Sequence, residues 1–268
     1  MPNGHLPEEL LDYIVDLLRD SRDALKSCSL VSKSWVPRAR KHLFAEIKFS
    51  TTESLRSWRS TFSDPSTSPA CYSRILLVGR PPLESVAANG EEWRWIQTFT
   101  RIQVLDLDTN VINPSQLPIT LLQFYGFSPG LKTLRLAFRA FPSSQVFGLI
   151  LSFPLLDDLR VVVSCTWIES RPRNTVSGDQ AIALQSLVSP PFTGFLELDL
   201  KTGLDFLASW LLSLPGGLHF RSLHLTLNRQ SNAVPATALV EGCSSTLEFL
   251  EVDCKISSLF IHYLRPQQ

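Results

Sequence analysis

One short apolar figure recurs along this chain at a nearly constant interval, and no other feature restricts the fold as much. The figure is apolar-x-x-apolar-x-apolar. It stands at Phe44/Ile47/Phe49, Tyr72/Ile75/Leu77, Ile102/Leu105/Leu107, Leu131/Leu134/Leu136, Leu156/Leu159/Val161, Phe195/Leu198/Leu200, Phe220/Leu223/Leu225 and Leu247/Leu250/Val252. Between the middle residues the steps are 28, 30, 29, 25, 39, 25 and 27 residues. The alternation at the end of the figure is that of a half-buried strand, and each step leaves room for a helix that returns the chain. A unit of this size cannot bury its apolar side alone. It stacks on its neighbour, so the expected fold class is α/β, a solenoid of parallel strands with helices on the other side.

The text between the figures supports the helical half of the unit. Residues 53–62 carry Leu55, Trp58 and Phe62, residues 143–153 carry Val146, Phe147, Ile150 and Leu151, and residues 204–214 carry Phe206, Leu207, Trp210, Leu211 and Leu214, all at helical spacing. Pro142, Pro154 and Pro215 mark the ends of these helices, where a missing N–H does least harm. The 39-residue step holds an insertion over 164–189, including a polar run over 169–179, expected as an exposed loop, and 63–69 is another. The pattern resembles the leucine-rich repeat, in an irregular form that lacks the asparagine usual after the triplet, with the parallel sheet on a concave face. An irregular α/β domain without true repeats is the alternative. Only 16 residues follow Val252, so the last repeat is expected to be thinly capped or the chain to continue.

Before the first repeat the periodicity is purely helical. Pro7 suits the first position of a helix, and Glu8 and Glu9 complement the positive end of its dipole. Leu10, Ile14, Leu17 and Leu18 form one stripe, and Leu11, Val15 and Leu18 a second beside it, so the apolar arc is wider than one neighbouring helix covers. A second helix is expected from about Arg22 to Val31 through Ala24, Leu25 and Cys28. A third runs through Trp35, Val36, Ala39 and Leu43, interrupted or restarted at Pro37. A unit of roughly 40 residues is marginal alone without a metal, a disulfide or a partner. Its surplus apolar surface is therefore met by the rest of the chain or by another protein.

The series Leu6-Pro7, Leu10-Leu11, Ile14, Leu17-Leu18, Leu25, Cys28, Val31-Ser32 and Trp35 resembles the F-box, the module by which substrate receptors dock on the Skp adaptor of cullin-RING ubiquitin ligases. The stretch from Ser29 to Trp35 followed by His42-Leu43-Phe44 is similar to the large F-box families of mushroom-forming fungi. The resemblance implies an F-box over 1–47 and a repeat domain over 48–268. It implies that Leu6, Pro7, Leu10, Leu11, Ile14, Leu17, Leu18, Leu25, Cys28, Val31, Ser32 and Trp35 serve adaptor binding, divided between a small core and the contact surface. Skp, and through it cullin, are the implied partners, together with a protein target of unknown identity and a role in proteasomal degradation.

Composition excludes several other classes. Lys plus Arg equals Asp plus Glu at 25 each, so no overall field draws the chain to nucleic acid or to an acidic membrane. The local bases Lys33, Arg38, Arg40 and Lys41 lack interleaved aromatics and are expected to balance the acidic first helix. Five scattered cysteines give neither a disulfide framework nor a zinc site. With no glycosylation sequon and no signal-peptide pattern, a cytoplasmic or nuclear place is expected. The longest apolar stretch, 146–156, is too short to span a bilayer. No phosphate loop, zinc helix or nucleophile elbow occurs. The expectation is a non-enzyme with no cofactor and no metal, and the acidic pairs Glu91-Glu92 and Asp157-Asp158 are expected to be ordinary exposed pairs.

Alternate strand residues face opposite sides, so one residue of each repeat points away from the core. The row expected there is Leu76, Asp106, Arg135, Arg160, Asp199, His224 and Glu251, flanked by Asp108, Lys201, Thr226 and Asp253. Its charged members, Asp106, Arg135, Arg160, Asp199, His224 and Glu251, are the expected target-binding residues, unless Asp106 with Arg135 and Arg160 with Asp199 merely neutralise one another. Two functions stay open: a substrate-recognition subunit of a Skp-cullin-F-box ligase, or a leucine-rich-repeat scaffold with a helical cap and no ubiquitin role.

Overall fold

A computed structural model of the protein describes residues 7–64, 67–79, 96–108, 124, 127–138, 143–163, 190–200, 204–228 and 233–255. Three helices come first: α1 (Glu8–Leu17), α2 (Arg22–Val31) and α3 (Val36–Leu43). Pro7 is the residue before the first turn of α1, and the acidic Glu8 and Glu9 lie within that turn, where they meet the positive helix end. Pro37 stands in the first turn of α3 and starts that helix without breaking it, since an N–H there has no intrahelical acceptor to lose. The helices close on Val15, Leu25, Cys28 and Ala39, with Leu18, Trp35 and Leu43 packed around them. A boundary at residue 47 falls inside the first strand, because the small helical core ends with Leu43 and Ile47 belongs to the sheet.

Eight parallel strands follow in one sheet, ordered as they occur in the chain: β1 (Glu46–Phe49), β2 (Ile75–Val78), β3 (Val104–Asp108), β4 (Thr133–Phe138), β5 (Asp158–Val163), β6 (Phe195–Leu200), β7 (Ser222–Leu227) and β8 (Phe249–Cys254). Parallel neighbours need long crossovers. Four of these contain the described helices α4 (Thr52–Thr61), α5 (Ser143–Leu151), α6 (Leu204–Leu212) and α7 (Ala233–Gly242). The first three match the helices expected from spacing. The insertion over 164–189 and Lys201 lie outside the described residues.

Register turns the apolar alternation into two ladders that cross the sheet. One runs Ile47, Leu76, Leu105, Leu134, Leu159, Leu196, Leu223 and Leu250, and the other Phe49, Val78, Leu107, Leu136, Val161, Leu198, Leu225 and Val252. Every rung from β1 to β7 is buried, and the ladders form a single core with residues such as Leu55, Val146, Leu207 and Leu239 from the helices. The step between rungs is 29, 29, 29, 25, 37, 27 and 27 residues. The true period is more regular than the one read from the triplets, because two triplets were placed out of phase. In β2 the ladder takes Leu76 and Val78 where Ile75 and Leu77 were expected, and in β6 it takes Leu196 and Leu198 where Leu198 and Leu200 were expected.

A second repeating device ties the strand entries together. A single carbonyl accepts hydrogen bonds from two successive N–H groups of the next strand: Ala45 from Arg74 and Ile75, Arg74 from Gln103 and Val104, Gln103 from Lys132 and Thr133, and Lys132 from Asp157 and Asp158. At the long step the pattern changes. The Asp157 carbonyl accepts from Gly194 at 3.3 Å, and the next N–H, that of Phe195, donates to Asp158 Oδ1 at 2.9 Å while Thr133 Oγ1 donates to Asp158 Oδ2 at 2.9 Å. The Asp158 carboxylate thus replaces the missing carbonyl and spans three strands, so it is not the ordinary exposed acid expected. Gly194 is what admits it, since a Cβ there would lie 2.0 Å from Asp158 Oδ1.

Candidate functional site

The helical unit and the open side of the sheet present two different surfaces. On α1 the two apolar stripes separate cleanly: Val15 is buried and Leu18 packs on the core, whereas Leu10, Tyr13, Ile14 and Leu17 form an exposed strip at i, i+3, i+4 and i+7. Leu17 is 65% exposed, and at the end of α2 Leu30 and Val31 are 87% and 70% exposed. An amphipathic helix normally turns this kind of strip inward. Here it faces solvent because the core is already filled from the other side of α1.

This arrangement divides the residues assigned to adaptor binding. Leu10, Ile14, Leu17, Val31, Ser32 and Pro7 are exposed, and Leu11 is half-buried. Leu25 and Cys28 are buried between the helices and are not available as contact residues, whereas Leu18 and Trp35 pack against them and are only partly buried. Leu6 lies outside the described residues. Sequence reasoning missed Tyr13 and Leu30 as surface residues and gave Val15 no special place; the i, i+3 relation of Tyr13 to Leu10 is the signal that could have found Tyr13.

A polar clasp holds α1 in the pose that exposes the strip. The Arg38 guanidinium on α3 donates through Nε to Asp16 Oδ1 at 2.6 Å and through Nη2 to Asp16 Oδ2, and His42 Nε2 lies 2.7 Å from Asp16 Oδ1. Arg38 also lies 3.7 Å from Asp12. The Arg38 hydrogen bond, then that from His42, holds the Asp16 carboxyl well below the usual carboxylate range. Of the local bases, Arg38 therefore balances the acidic first helix as expected.

On the sheet, the row expected to bind a target is straightened by the register. Lys48, Leu77, Asp106, Arg135, Arg160, Glu197, His224 and Glu251 stand side by side. Asp199 is not in this row. It lies two residues along, beside Val162 and Thr226, where it accepts from Asn228 Nδ2 at 3.2 Å and from Lys255 Nζ at 3.3 Å. Leu76 likewise belongs to the buried ladder and Leu77 replaces it. Arg160 pairs with Glu197 at 3.1 Å, the role expected of Asp199. Asp106 is half-buried, and burial raises its carboxyl above the ordinary value despite the opposing charges of Arg135 and Arg160. Arg135 is exposed beside it.

The row is divided in charge. Lys48, Arg135 and Arg160 lie toward β1, with Asp106 among them, and Glu197, Glu251 and the neighbouring Asp199 and Asp253 lie toward β8. The exposed cysteines Cys71 and Cys254 are free thiols, whereas Cys243 is buried and its thiol is pushed up by burial. Among the described residues no helix is long and apolar enough to cross a membrane. In comparisons with known proteins, no family model matches the chain and no curated protein matches its sequence.

Proposed function

We propose that the protein is a substrate receptor: its N-terminal helices dock on a Skp adaptor in the manner of an F-box, and the open face of its sheet holds a protein target. The observation that carries this reading is the exposed strip Leu10, Tyr13, Ile14 and Leu17 with Leu30 and Val31. Scattered exposed apolar residues are ordinary, but a strip at i, i+3, i+4 and i+7 along one face of an amphipathic helix is characteristic of a contact surface. In this reading the chain carries out no chemistry. It raises the effective concentration of a target lysine near a conjugating enzyme held by other subunits.

Replacing Leu17 and Leu30 together by Asp separates docking from folding, since both side chains are already in water. Binding of purified Skp adaptor, measured by biolayer interferometry, is expected to weaken by at least about tenfold if the strip contains a hot spot, with unchanged circular dichroism. A wild-type chain that does not bind the adaptor returns the helices to the role of a cap on a repeat scaffold without a ubiquitin role.

A further inference from the structure

We infer that the β8 end of the open sheet face binds a first-row divalent metal ion, of the Zn²⁺ or Co²⁺ kind, through His224, Glu251 and Asp253. One ligand atom from each of these residues lies within 4.8 Å of the other two. Register brings them together: His224 on β7 stands beside Glu251 on β8, and Asp253 is two residues further along that strand on the same face. The three span 30 residues of sequence, and only the pairing of the last two strands joins them.

The state of the imidazole argues for a ligand. His224 Nε2 is screened from solvent and makes no hydrogen bond; its nearest acid, Asp253 Oδ2, is 3.5 Å away, beyond the ~2.7–3.2 Å range of a good N–H···O contact. A ring nitrogen removed from water without a partner is costly, and a bound cation meets that need. Bonds of about 2.0–2.2 Å from zinc to nitrogen and oxygen put neighbouring ligand atoms of a tetrahedron roughly 3.3–3.5 Å apart, which is the separation of His224 Nε2 and Asp253 Oδ2. Glu251 is exposed, and its longer side chain closes the third position by rotation about its own torsions.

Electrostatics favour a cation here as well. Among the described residues no lysine or arginine lies within 4.0 Å of Glu251 or Asp253, and Lys255, two residues beyond Asp253, is engaged by Asp199. One imidazole and two carboxylates suit zinc, cobalt, manganese or ferrous iron better than calcium or magnesium, which take oxygen alone, or cuprous copper, which takes thiolates. Three protein ligands on an open face leave a coordination position for water or for an outside group. This site is independent of adaptor docking and survives the failure of that reading.

Titration of the full chain with Co²⁺ alone, followed by visible absorption, tests the site. The expected result is a saturable d–d band of one equivalent without thiolate charge transfer, bleached by Zn²⁺. His224→Ala and the double variant Glu251→Gln/Asp253→Asn, each checked for folding by circular dichroism, should each weaken binding by at least roughly tenfold. Cys71→Ser/Cys254→Ser should leave it unchanged. Absence of a saturable band, a band that persists in both ligand variants, or one with thiolate charge transfer that disappears with the cysteine pair would overturn the assignment.

Discussion

The two regions of this molecule solve opposite problems with the same residue types. In the sheet, each leucine of a ladder is covered by the next repeat, so burial is nearly complete between β1 and β7 and the variable chemistry is left to the other face. In the helical unit, Val15, Leu25, Cys28 and Ala39 make up the buried core, while among the described residues Leu10, Tyr13, Ile14, Leu17, Leu30 and Val31 remain in water. Leucine is therefore a structural residue in one region and a surface feature in the other. The same comparison applies within the sheet at its end: Leu250 and Val252 continue the ladders, yet they are 44% and 43% exposed where no further strand is described.

The largest expected effect tests that contrast directly. Leu134 sits at the middle of its ladder, fully buried between Leu105 and Leu159, and Leu134→Ala should cost about 2 to 5 kcal/mol in chemical denaturation. Leu17→Ser, on the helical strip, should stay within about 0.5 kcal/mol, as surface changes usually do. Equal losses from the two changes would mean that the strip is packed in solution and would remove the difference between the regions.

The irregular step offers a sharper test of the sheet. A methyl group on Gly194 must displace the carboxylate that replaces a strand-entry carbonyl, so Gly194→Ala should destabilise by about 1 to 3 kcal/mol, in the range of overpacked sites. Gly130→Ala is the control, because a Cβ at Gly130 meets nothing within 4 Å. A Gly194→Ala protein as stable as the control would show that β6 does not depend on Asp158 for its register.

These sites also show why the sequence was legible in part. Ladder residues in β3, β4, β5 and β7 were placed correctly because polar residues alternate with them, as in Leu105-Asp106-Leu107. In β2, Ile75 to Val78 is apolar throughout, so period two has no phase. In β6, Leu196, Leu198 and Leu200 share one face, and no local feature says which of them meets Leu159. The choice is made by the Asp158 to Phe195 hydrogen bond across a 37-residue gap, and that shift exchanged Asp199 for Glu197 in the surface row. On α1 the width of the apolar arc was readable, but the side that becomes core depends on Cys28 and Ala39 from other helices. The sequence pattern puts His224, Glu251 and Asp253 on the outward face, but the 3.5 Å approach of His224 to Asp253 is fixed only by the pairing of β7 and β8.

A smaller effect concerns the clasp between α1 and α3. Asp16 has its carboxyl depressed in the folded state, so it contributes stability above the usual aspartate value near 4, and that contribution is lost as pH falls below this value toward the folded one. Asp16→Asn should lower stability at pH 7 by up to about 1 kcal/mol, because the pair is partly solvated. The difference from wild type should shrink in acid. A pH-independent gap would mean that Asp16 acts through packing and not through its charge.

The smallest expected effect has the opposite sign and lies on the sheet. Asp106 is half-buried and its carboxyl is raised above the unfolded value, chiefly by burial, with Arg135 and Arg160 offsetting part of the cost. The folded state then binds a proton more readily than the unfolded chain, so ionised Asp106 weakens the fold as pH rises through the interval between the two values, and the loss persists above it. Asp106→Asn keeps the shape and removes the charge. At pH 7 it should raise the melting temperature by on the order of 1–2 °C, and the gain should vanish below pH ~3, where both forms are neutral. A lower melting temperature at pH 7 would instead show that attraction to Arg135 and Arg160 outweighs burial. The charged row would then stabilise the sheet as well as decorate it, and the separation between a structural ladder and a functional face would fail at its centre.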